Sequence, residues 1–280
     1  MHTAPTLEAG DFIDAGGHRT HYHEAGSGET VVFIHGSGPG VTGWANWRNA
    51  LPVFAKHFHV LAPDVLGFGF SARPEGVKYG RDFWVDHLIG FLQAKGVERC
   101  HLVGNSLGGA LSLALAAREP KMVDRIVLMG AAGVTFPVTR GLEAVWGYEP
   151  SFEAMRELIA EHFAYDRSLA TDDLVQMRYE ASKQPGFQES YRSMFPAPYQ
   201  RHLDALATPD DAIAAIVSPT LVIHGREDKV VPLATSLRLF ELLPNADLHV
   251  FGKCGHWTMI EKRDEFNALV LQFLGASVAV

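Results

Sequence analysis

The sequence contains little cysteine and no excess of basic residues. Its 280 residues include only two cysteines, Cys100 and Cys254, which are far apart and in no CxxC spacing. This argues against a disulfide-rich secreted scaffold and predicts two free thiols in a reducing compartment. Lys plus Arg number 24 against 32 Asp plus Glu, for a formal charge of −8, and no Lys/Arg run occurs. We therefore expect no nucleic-acid partner.

The sequence also lacks a long apolar run. The longest mostly apolar stretch, Leu107 to Ala117, has about 11 residues, whereas a helix needs roughly 20 to cross a bilayer. The opening residues, MHTAPTLEAGDF, show no basic segment followed by an apolar one, so no secretory signal is visible. We therefore expect a soluble, cytoplasmic protein with no membrane partner.

Short β-branched or apolar runs alternate with helical patterns, which is typical of a mainly parallel sheet covered by helices on both faces. The segment Phe12–Glu24 contains Ala15-Gly16-Gly17 and suits a hairpin at the sheet edge. The candidate strands are Val31–His35, His59–Pro63, His101–Gly104, Ile126–Met129, Thr220–His224 and Asp247–Phe251. Helical patterns lie near Trp44–Ala55, Arg81–Lys95, Leu107–Arg118, Ala234–Leu242 and Lys262–Leu274.

One stretch breaks this alternation. From about Thr135 to Ala207 no strand-like run occurs, and the segments SFEAMRELIAEHF, TDDLVQMRYEASK and QESYRSMF indicate three helices. The sequence thus predicts an α/β core formed by residues 1–134 and 208–280. Residues 135–207, called the helical insertion below, are expected to form a cap over the sheet.

A G-x-S-x-G motif at Gly104–Gly108 stands between the strand-like CHLVG and the helix-like LGGALSLALAARE. Small residues there permit a tight strand-to-helix turn that exposes the serine, and the helix N-terminus favours developing negative charge. We therefore expect Ser106 to be a nucleophile; the alternative is a plain glycine-rich turn.

A nucleophilic serine needs a base, and the base needs an orienting carboxylate. TLVIHGREDKVVP places Asp228 in a loop after a strand, and DLHVFGKCGHWTMIE places His256 after the next strand. The carboxyl ends of parallel strands converge on one crevice, so these residues can meet Ser106. The adjacent Glu227 could take the role of Asp228. Asp64, which ends another strand, is expected to support the GFGFS loop.

The glycine-rich segment His35–Gly40 follows the VVFI strand and can direct backbone amides toward a developing oxyanion. We expect the amides of Ser37 and Leu107 to form the oxyanion hole. The Ser37 hydroxyl is an additional possible donor. The sequence contains no phosphate-binding G-x-x-x-x-G-K-[ST] motif. No cluster of carboxylates or histidines has the spacing of metal ligands. We therefore expect no metal and no cofactor.

These motifs together resemble the α/β-hydrolase fold across nearly the whole chain. More specifically, HGSGPGVTGWANW, PDVLGFGFSARP, GNSLGG, FQESYRSMFPAP and CGHW resemble the meta-cleavage product hydrolases, carbon–carbon bond hydrolases of bacterial aromatic catabolism. GFQESYRSMFPAP is most similar to members acting on ring-fission products of monocyclic aromatics, of the 2-hydroxymuconic semialdehyde and 2-hydroxy-6-oxohepta-2,4-dienoate type.

The resemblance implies an anionic small-molecule substrate, a 2-hydroxy-6-oxohexa-2,4-dienoate. Cleavage of its C5–C6 bond would give 2-hydroxypenta-2,4-dienoate and a carboxylic acid. It further implies a homo-oligomer, a dimer or larger. The implied substrate-binding residues are Asn46, Asn105, Arg178 and Trp257.

Alternative roles remain open for three of these residues. Arg178 lies on the apolar stripe of its helix, where a guanidinium needs an anion; it could instead form an internal salt bridge or extend its charged end to the surface. Asn105 could merely tolerate unusual backbone angles, and Trp257 could merely pack beside the His256 loop.

The same motifs also allow other functions. The main rival is a carboxylesterase or lactonase using the same triad, although a neutral ester would need neither Arg178 nor Asn46. Epoxide hydrolases and dehalogenases of this fold use an Asp nucleophile, whereas position 106 is Ser. A small-molecule receptor that has kept its triad is a third possibility. Direct attack by Ser106, giving an acyl-enzyme, and activation of water, giving a gem-diol, both remain open.

Overall fold

A computed structural model describes residues 9–275 and contains one eight-stranded sheet with the order β1-β2-β4-β3-β5-β6-β7-β8. The first two strands form the expected edge hairpin, and β2 pairs antiparallel with β4. From β4 to β8 all neighbouring strands are parallel, so their carboxyl ends meet at one edge. The strands are Asp11–Ala15, His18–Ala25, Thr30–Ile34, His59–Pro63, Cys100–Asn105, Val123–Met129, Thr220–Gly225 and Ala246–Phe251.

Helices flank this sheet, as expected for an α/β-hydrolase fold. The central β5 is buried throughout, and α4 packs against β3, β5 and β6. Within residues 9–275, none of the helices combines the length and apolarity needed to cross a membrane. The helices outside the helical insertion are α1 (Gly43–Trp47), α2 (Leu51–Phe54), α3 (Arg81–Ala94), α4 (Leu107–Arg118), α10 (Asp210–Ala214), α11 (Leu233–Leu242), α12 (Thr258–Glu261) and α13 (Arg263–Leu274).

The single helix expected near Trp44–Ala55 is wrong: two short helices, α1 and α2, occupy this stretch. The reason is Pro52, which lies in the first turn of α2. Proline has no amide hydrogen and its ring obstructs the preceding turn, so it suits a helix start and not a helix interior.

The helical insertion contains more helices than the three expected. The three appear as α6 (Phe152–Glu157), continued by a π-helical turn at Leu158–Phe163, and as α7 (Asp172–Ser182) and α8 (Phe187–Met194). A 3₁₀ turn, Arg167–Leu169, lies between the π-helical turn and α7. Two seven-residue helices, α5 (Arg140–Trp146) and α9 (Gln200–Leu206), were not anticipated. Such short helices carry little periodic signal.

Both cysteines are buried free thiols. Burial raises the pKa of the Cys100 thiol to about 12 and also raises that of Cys254. Because only the thiolate is a strong nucleophile, neither cysteine competes with Ser106 for that role at neutral pH.

Asp64 joins three segments at the carboxyl end of β4, consistent with its expected structural role. Its Oδ1 accepts from the Gly43 amide at 2.6 Å, and its Oδ2 accepts from the Phe70 amide at 2.9 Å. The same Oδ2 lies 2.9 Å from Nδ1 of the buried His21. Burial lowers the pKa of His21, but hydrogen bonding to Asp64 and its negative charge outweigh that effect and hold the pKa above 6.5.

His21, His23 and Asp64 also form a cluster that spacing in the sequence did not reveal, with ligand-type atoms within 4.8 Å of one another. However, both ring nitrogens of His21 already make protein contacts, to Asp64 and to the Ala9 carbonyl. An imidazole ring with an acceptor at each nitrogen is the arrangement expected of a protonated histidine. His21 and Asp64 therefore form a buried ion pair.

The His21–Asp64 pair predicts a pH-dependent stability. A pKa raised by folding stabilises the native state below the unfolded value and loses that effect as the pH rises through the folded value. His21→Leu is expected to lower the free energy of unfolding by about 3 kcal/mol at pH 6 and by less at pH 9. Urea unfolding at the two pH values measures this difference. His249→Leu, at a half-buried histidine of β8, is the control. An equal loss at both pH values would contradict the ion-pair assignment.

Candidate active site

Ser106 occupies a strained turn between β5 and α4. Its φ of 54° makes it one of two non-glycine residues with positive φ in the described chain, the other being Lys253. A side chain at position 104 would place Cβ 2.4 Å from the Gly108 carbonyl oxygen, and one at position 108 would place it 2.1 Å from the Ile34 oxygen. Both glycines of the G-x-S-x-G motif are therefore required by close backbone packing.

Asp228 and His256 are joined by a short hydrogen bond. Oδ2 of Asp228 lies 2.7 Å from Nδ1 of His256, and both side chains are buried. Oδ1 accepts from the amides of Val230 and Val231 at 2.8 and 2.9 Å, which fixes the carboxylate. A Cβ at Gly130 would approach both Oδ2 and Nδ1 to 3.2 Å, so this glycine leaves room for the pair.

Glu227, the alternative partner of the histidine, faces another way. Its carboxylate accepts from the Cys254 amide at 3.0 Å and pairs with Arg226 at 2.7 Å. The Nδ1 contact of His256 goes to Asp228. The geometry therefore favours Asp228 as the orienting acid.

Ser106 and His256 face one narrow cavity below the helical insertion. Its volume is about 10 Å³, roughly the space of a single water molecule. A larger cavity of about 530 Å³ lies between α3, α8 and α9, but none of the three triad candidates lines it. The narrow cavity is lined by Gly36, Ser37, Gly38, Val41, Asn46, Asn105, Ser106, Val145, Phe163, Arg178, Val230, His256 and Trp257.

The sequence-predicted site residues are thus brought together, with Asp228 behind His256. Leu107 is the exception among them, since it does not line the cavity. Its side chain is buried, and its amide follows Ser106 directly at the start of α4. In the described part of the chain, the amides of Ser37 and Leu107 have no hydrogen-bond acceptor. They can therefore serve as oxyanion donors.

Arg178 brings a buried positive charge to the cavity from α7. Only 3% of its surface is exposed, and its Nε has no hydrogen-bond partner among the residues that the structure describes. Burial, followed by the charge of Arg48, lowers the pKa of its guanidinium to about 10, so it stays charged at neutral pH. Within residues 9–275 no carboxylate pairs with this guanidinium, and the buried side chain does not extend to the surface. Arg48, whose positive charge acts on Arg178, was not predicted from the sequence to lie near it.

Aromatic rings hold Arg178 and the histidine loop in place. The Arg178 guanidinium carbon lies 5.3 Å from the ring centroid of Trp257, a cation–π distance. Phe163 stacks on Trp257 at 4.5 Å, and its carbonyl accepts from the His256 amide at 2.7 Å. Phe163 could not be identified as a site residue from the sequence, because an aromatic residue in a cap helix carries no spacing signal.

Asn46 and Asn105 supply neutral polar groups to the same cavity. Both side chains are buried, and the Nδ2 of Asn46 has no hydrogen-bond partner in the described chain. Nδ2 of Asn105 donates to the Met129 carbonyl at 3.2 Å. Asn46 therefore has an unused donor, while Asn105 is oriented by the end of β6.

A serine on a strand-to-helix turn, with an acid and a histidine after later strands, is the arrangement of serine α/β hydrolases. A family model described as alpha/beta hydrolase fold matches residues 29–263. A 2-hydroxy-6-oxo-2,4-heptadienoate hydrolase of Pseudomonas putida F1 is 56% identical, over 98% of this chain and 99% of its own. A 2-hydroxymuconate semialdehyde hydrolase of Pseudomonas sp. CF600 is 55% identical, over 97% and 96%.

Solved structures agree with these relatives. CumD, a meta-cleavage product hydrolase from Pseudomonas fluorescens IP01 solved in complex with acetates, is 58% identical and superposes with a TM-score of 0.94. The match covers 96% of this chain and 98% of that one. The chain therefore belongs to the α/β-hydrolase family and, within it, to the meta-cleavage product hydrolases, which are carbon–carbon bond hydrolases.

Removing the Ser106 hydroxyl tests the proposed nucleophile. Ser106→Ala is expected to lower kcat by at least about 10⁴-fold, because losing one member of such a triad removes most of its catalysis. Steady-state turnover with folded protein measures the effect. Ser112→Ala is the matched control: this buried serine of α4 bonds the Gly108 carbonyl at 2.8 Å. Full activity in Ser106→Ala would refute the triad assignment.

Proposed function

We propose that the protein hydrolyses the C5–C6 bond of a 2-hydroxy-6-oxohexa-2,4-dienoate, giving 2-hydroxypenta-2,4-dienoate and a carboxylic acid. The observation that carries this proposal is the buried guanidinium of Arg178, which lines the cavity of Ser106 and His256 and has no carboxylate partner within residues 9–275. A buried charge without a partner is costly, so a substrate carboxylate is the natural counter-ion.

The substrate carboxylate and the 2-hydroxyl would lie toward Arg178, Asn46 and Asn105, with Trp257 forming part of the wall. Because the whole chain carries a formal charge of −8, anion binding depends on such local positive charge. An ordinary ester would make no use of this end of the cavity. In this scheme the protein's own side chains and backbone amides supply the chemistry, and no metal or other cofactor takes part.

Cleavage requires the departing carbon to accept an electron pair. The dienol first ketonises: the 2-hydroxyl loses its proton and C5 gains one, so the 2-oxo group becomes the electron sink. Arg178 and the two asparagines would stabilise the intermediate dienolate. His256, oriented by Asp228, would carry the proton.

The C6 carbonyl is then attacked by Ser106 or by a water that it activates. The amides of Ser37 and Leu107 would receive the negative charge on the carbonyl oxygen. When the C5–C6 bond breaks, its electron pair moves through the conjugated chain to O2, which takes up a proton. In the acyl-enzyme route, water then releases the acid from Ser106.

In this scheme the helical insertion, residues 135–207, is a cap on a core of residues 1–134 and 208–280. It contributes Arg178 and Phe163 to the cavity. A homo-oligomer in the cytoplasm completes the proposal. Buried free thiols suit a reducing compartment, and exposed apolar side chains such as Val217 and Phe240 offer surface that assembly can bury.

The direct test is loss of the yellow dienolate colour with substrates bearing hydrogen, methyl, isopropyl or phenyl at C6. We expect rapid bleaching with stoichiometric release of the acid. We also expect higher kcat/KM for hydrogen and methyl than for phenyl, because the cavity is narrow and the relatives are named for those two substrate types. No bleaching, together with brisk hydrolysis of aryl esters, would instead indicate a carboxylesterase.

Arg178→Met tests the carboxylate anchor. It should lower kcat/KM for the dienoate about 100-fold, or about 2.7 kcal/mol, because a charge-assisted pair is lost. Hydrolysis of p-nitrophenyl acetate, which has no carboxylate, should change much less. Arg156→Met is the control, since this arginine of the helical insertion pairs with Asp172 on the surface. An unchanged kcat/KM for the dienoate would remove Arg178 from the binding site.

A further inference from the structure

Two side chains of the helical insertion hold Ser37, the residue proposed as the second oxyanion donor. Nε1 of Trp146, at the end of α5, donates to the Ser37 hydroxyl at 3.1 Å. The hydroxyl of Tyr191, on α8, lies 2.9 Å from the Ser37 carbonyl oxygen. Ser37 is thus fixed through both its side chain and its backbone, each time by a residue more than 100 positions away.

The Tyr191 hydroxyl also lies 2.8 Å from the carbonyl oxygen of Val145. A tyrosine hydroxyl has one proton, so the two carbonyls share a single donor. Tyr191 is completely buried, and removal of its hydroxyl would leave both carbonyls without this donor. One hydroxyl therefore connects α8, the end of α5 and the loop after β3.

Ring packing fixes these two donors. Trp146 stacks on Phe195 with ring centroids 4.3 Å apart and an interplanar angle of 2°. Tyr191 stacks on Phe187 at 5.5 Å and meets Phe195 edge-on at 5.9 Å. Neither indole nor phenol can turn away without disturbing this packing, so their hydrogen bonds to Ser37 are preorganised.

We propose that Tyr191 and Trp146 are positioning residues that set the Ser37 amide for the oxyanion, so that the helical insertion completes the oxyanion hole. The inference rests on the proposed function. Oxyanion stabilisation depends on donors aimed in advance at the developing charge. The amide and the carbonyl of Ser37 are joined through one Cα, so contacts that hold its carbonyl and its hydroxyl also limit rotation of the amide. Substrate binding through Arg178 does not involve this contact.

Tyr191→Phe tests the backbone contact because it removes only the hydroxyl and keeps the ring. Loss of an oxyanion donor typically costs about 100- to 1,000-fold in kcat, and a misaligned donor should cost less. We expect kcat to fall about tenfold while KM changes less than about twofold. Tyr148→Phe is the matched control, since this buried hydroxyl of the helical insertion contacts Ser182 at 3.2 Å and not Ser37.

A double-mutant cycle of Trp146→Phe and Ser37→Ala tests the side-chain contact. Ser37→Ala keeps the backbone amide and removes the hydroxyl that Trp146 holds. If Trp146 acts through that hydroxyl, both single variants lower kcat, and Trp146→Phe causes no further loss when Ser37 is already alanine. Additive losses in kcat would overturn the role of Trp146.

All variants are assayed with the dienoate and with p-nitrophenyl acetate, because both reactions pass through an oxyanion. If the wild-type enzyme cleaves only the ester, the proposed substrate is wrong, and the ester kcat still tests the positioning of Ser37. If it cleaves neither, the oxyanion hole and this inference both fail.

Thermal unfolding separates stability from positioning: equal kcat in Tyr191→Phe and Tyr148→Phe, with only Tm lowered, would show a purely structural role. If Tyr191→Phe does not fold, the cycle decides alone.

Discussion

The rest of the site depends on one backbone constraint, the strained turn at Ser106. Because β5 lies between β3 and β6, this turn is near the middle of the sheet edge where all the parallel strands end. Ser37 follows β3, Gly130 follows β6, Asp228 follows β7 and His256 follows β8. Each of these four parallel strands is therefore followed by one residue that lies near the serine or its histidine. A turn without strain would direct the serine side chain elsewhere, and the other components would have no common target.

The electrostatics of the site depend on keeping two opposite charges apart. The carboxylate of Asp228 is occupied by two backbone amides and by His256, so it has little capacity left for another cation. Arg178, which lies in the same buried region, has no carboxylate partner in the described part of the chain. Because the acid is occupied by local donors, the guanidinium would stay available for the anionic ligand proposed above. Interactions in such a buried, narrow cavity are stronger than the same interactions in water.

The sequence was sufficient for the fold family, the strand positions and the meeting of Ser106, Asp228 and His256 in one region, because those features depend on short motifs and strand ends. It was insufficient where structure depends on contacts between distant segments. Tyr191 and Trp146 reach Ser37 across 154 and 109 residues, and no periodicity or spacing marks such a contact. The division of the helix near Pro52 depends on no distant contact. Proline disfavours helical geometry in the residue before it, so the sequence did contain a local signal for two helices.

The helical insertion has contacts at both ends of the proposed reaction. Arg178 would face the carboxylate end of the proposed substrate, and Tyr191 and Trp146 hold Ser37, the residue proposed as a donor for the C6 oxygen. The cavity of about 10 Å³ is much smaller than a dienoate, so the insertion or its side chains must move to admit substrate. Movement that drew α8 away from Ser37 would break the hydrogen bond between Tyr191 and the Ser37 carbonyl. Hydrolysis would then be favoured only after the insertion has closed over a bound carboxylate, which links recognition of one end of the substrate to chemistry at the other.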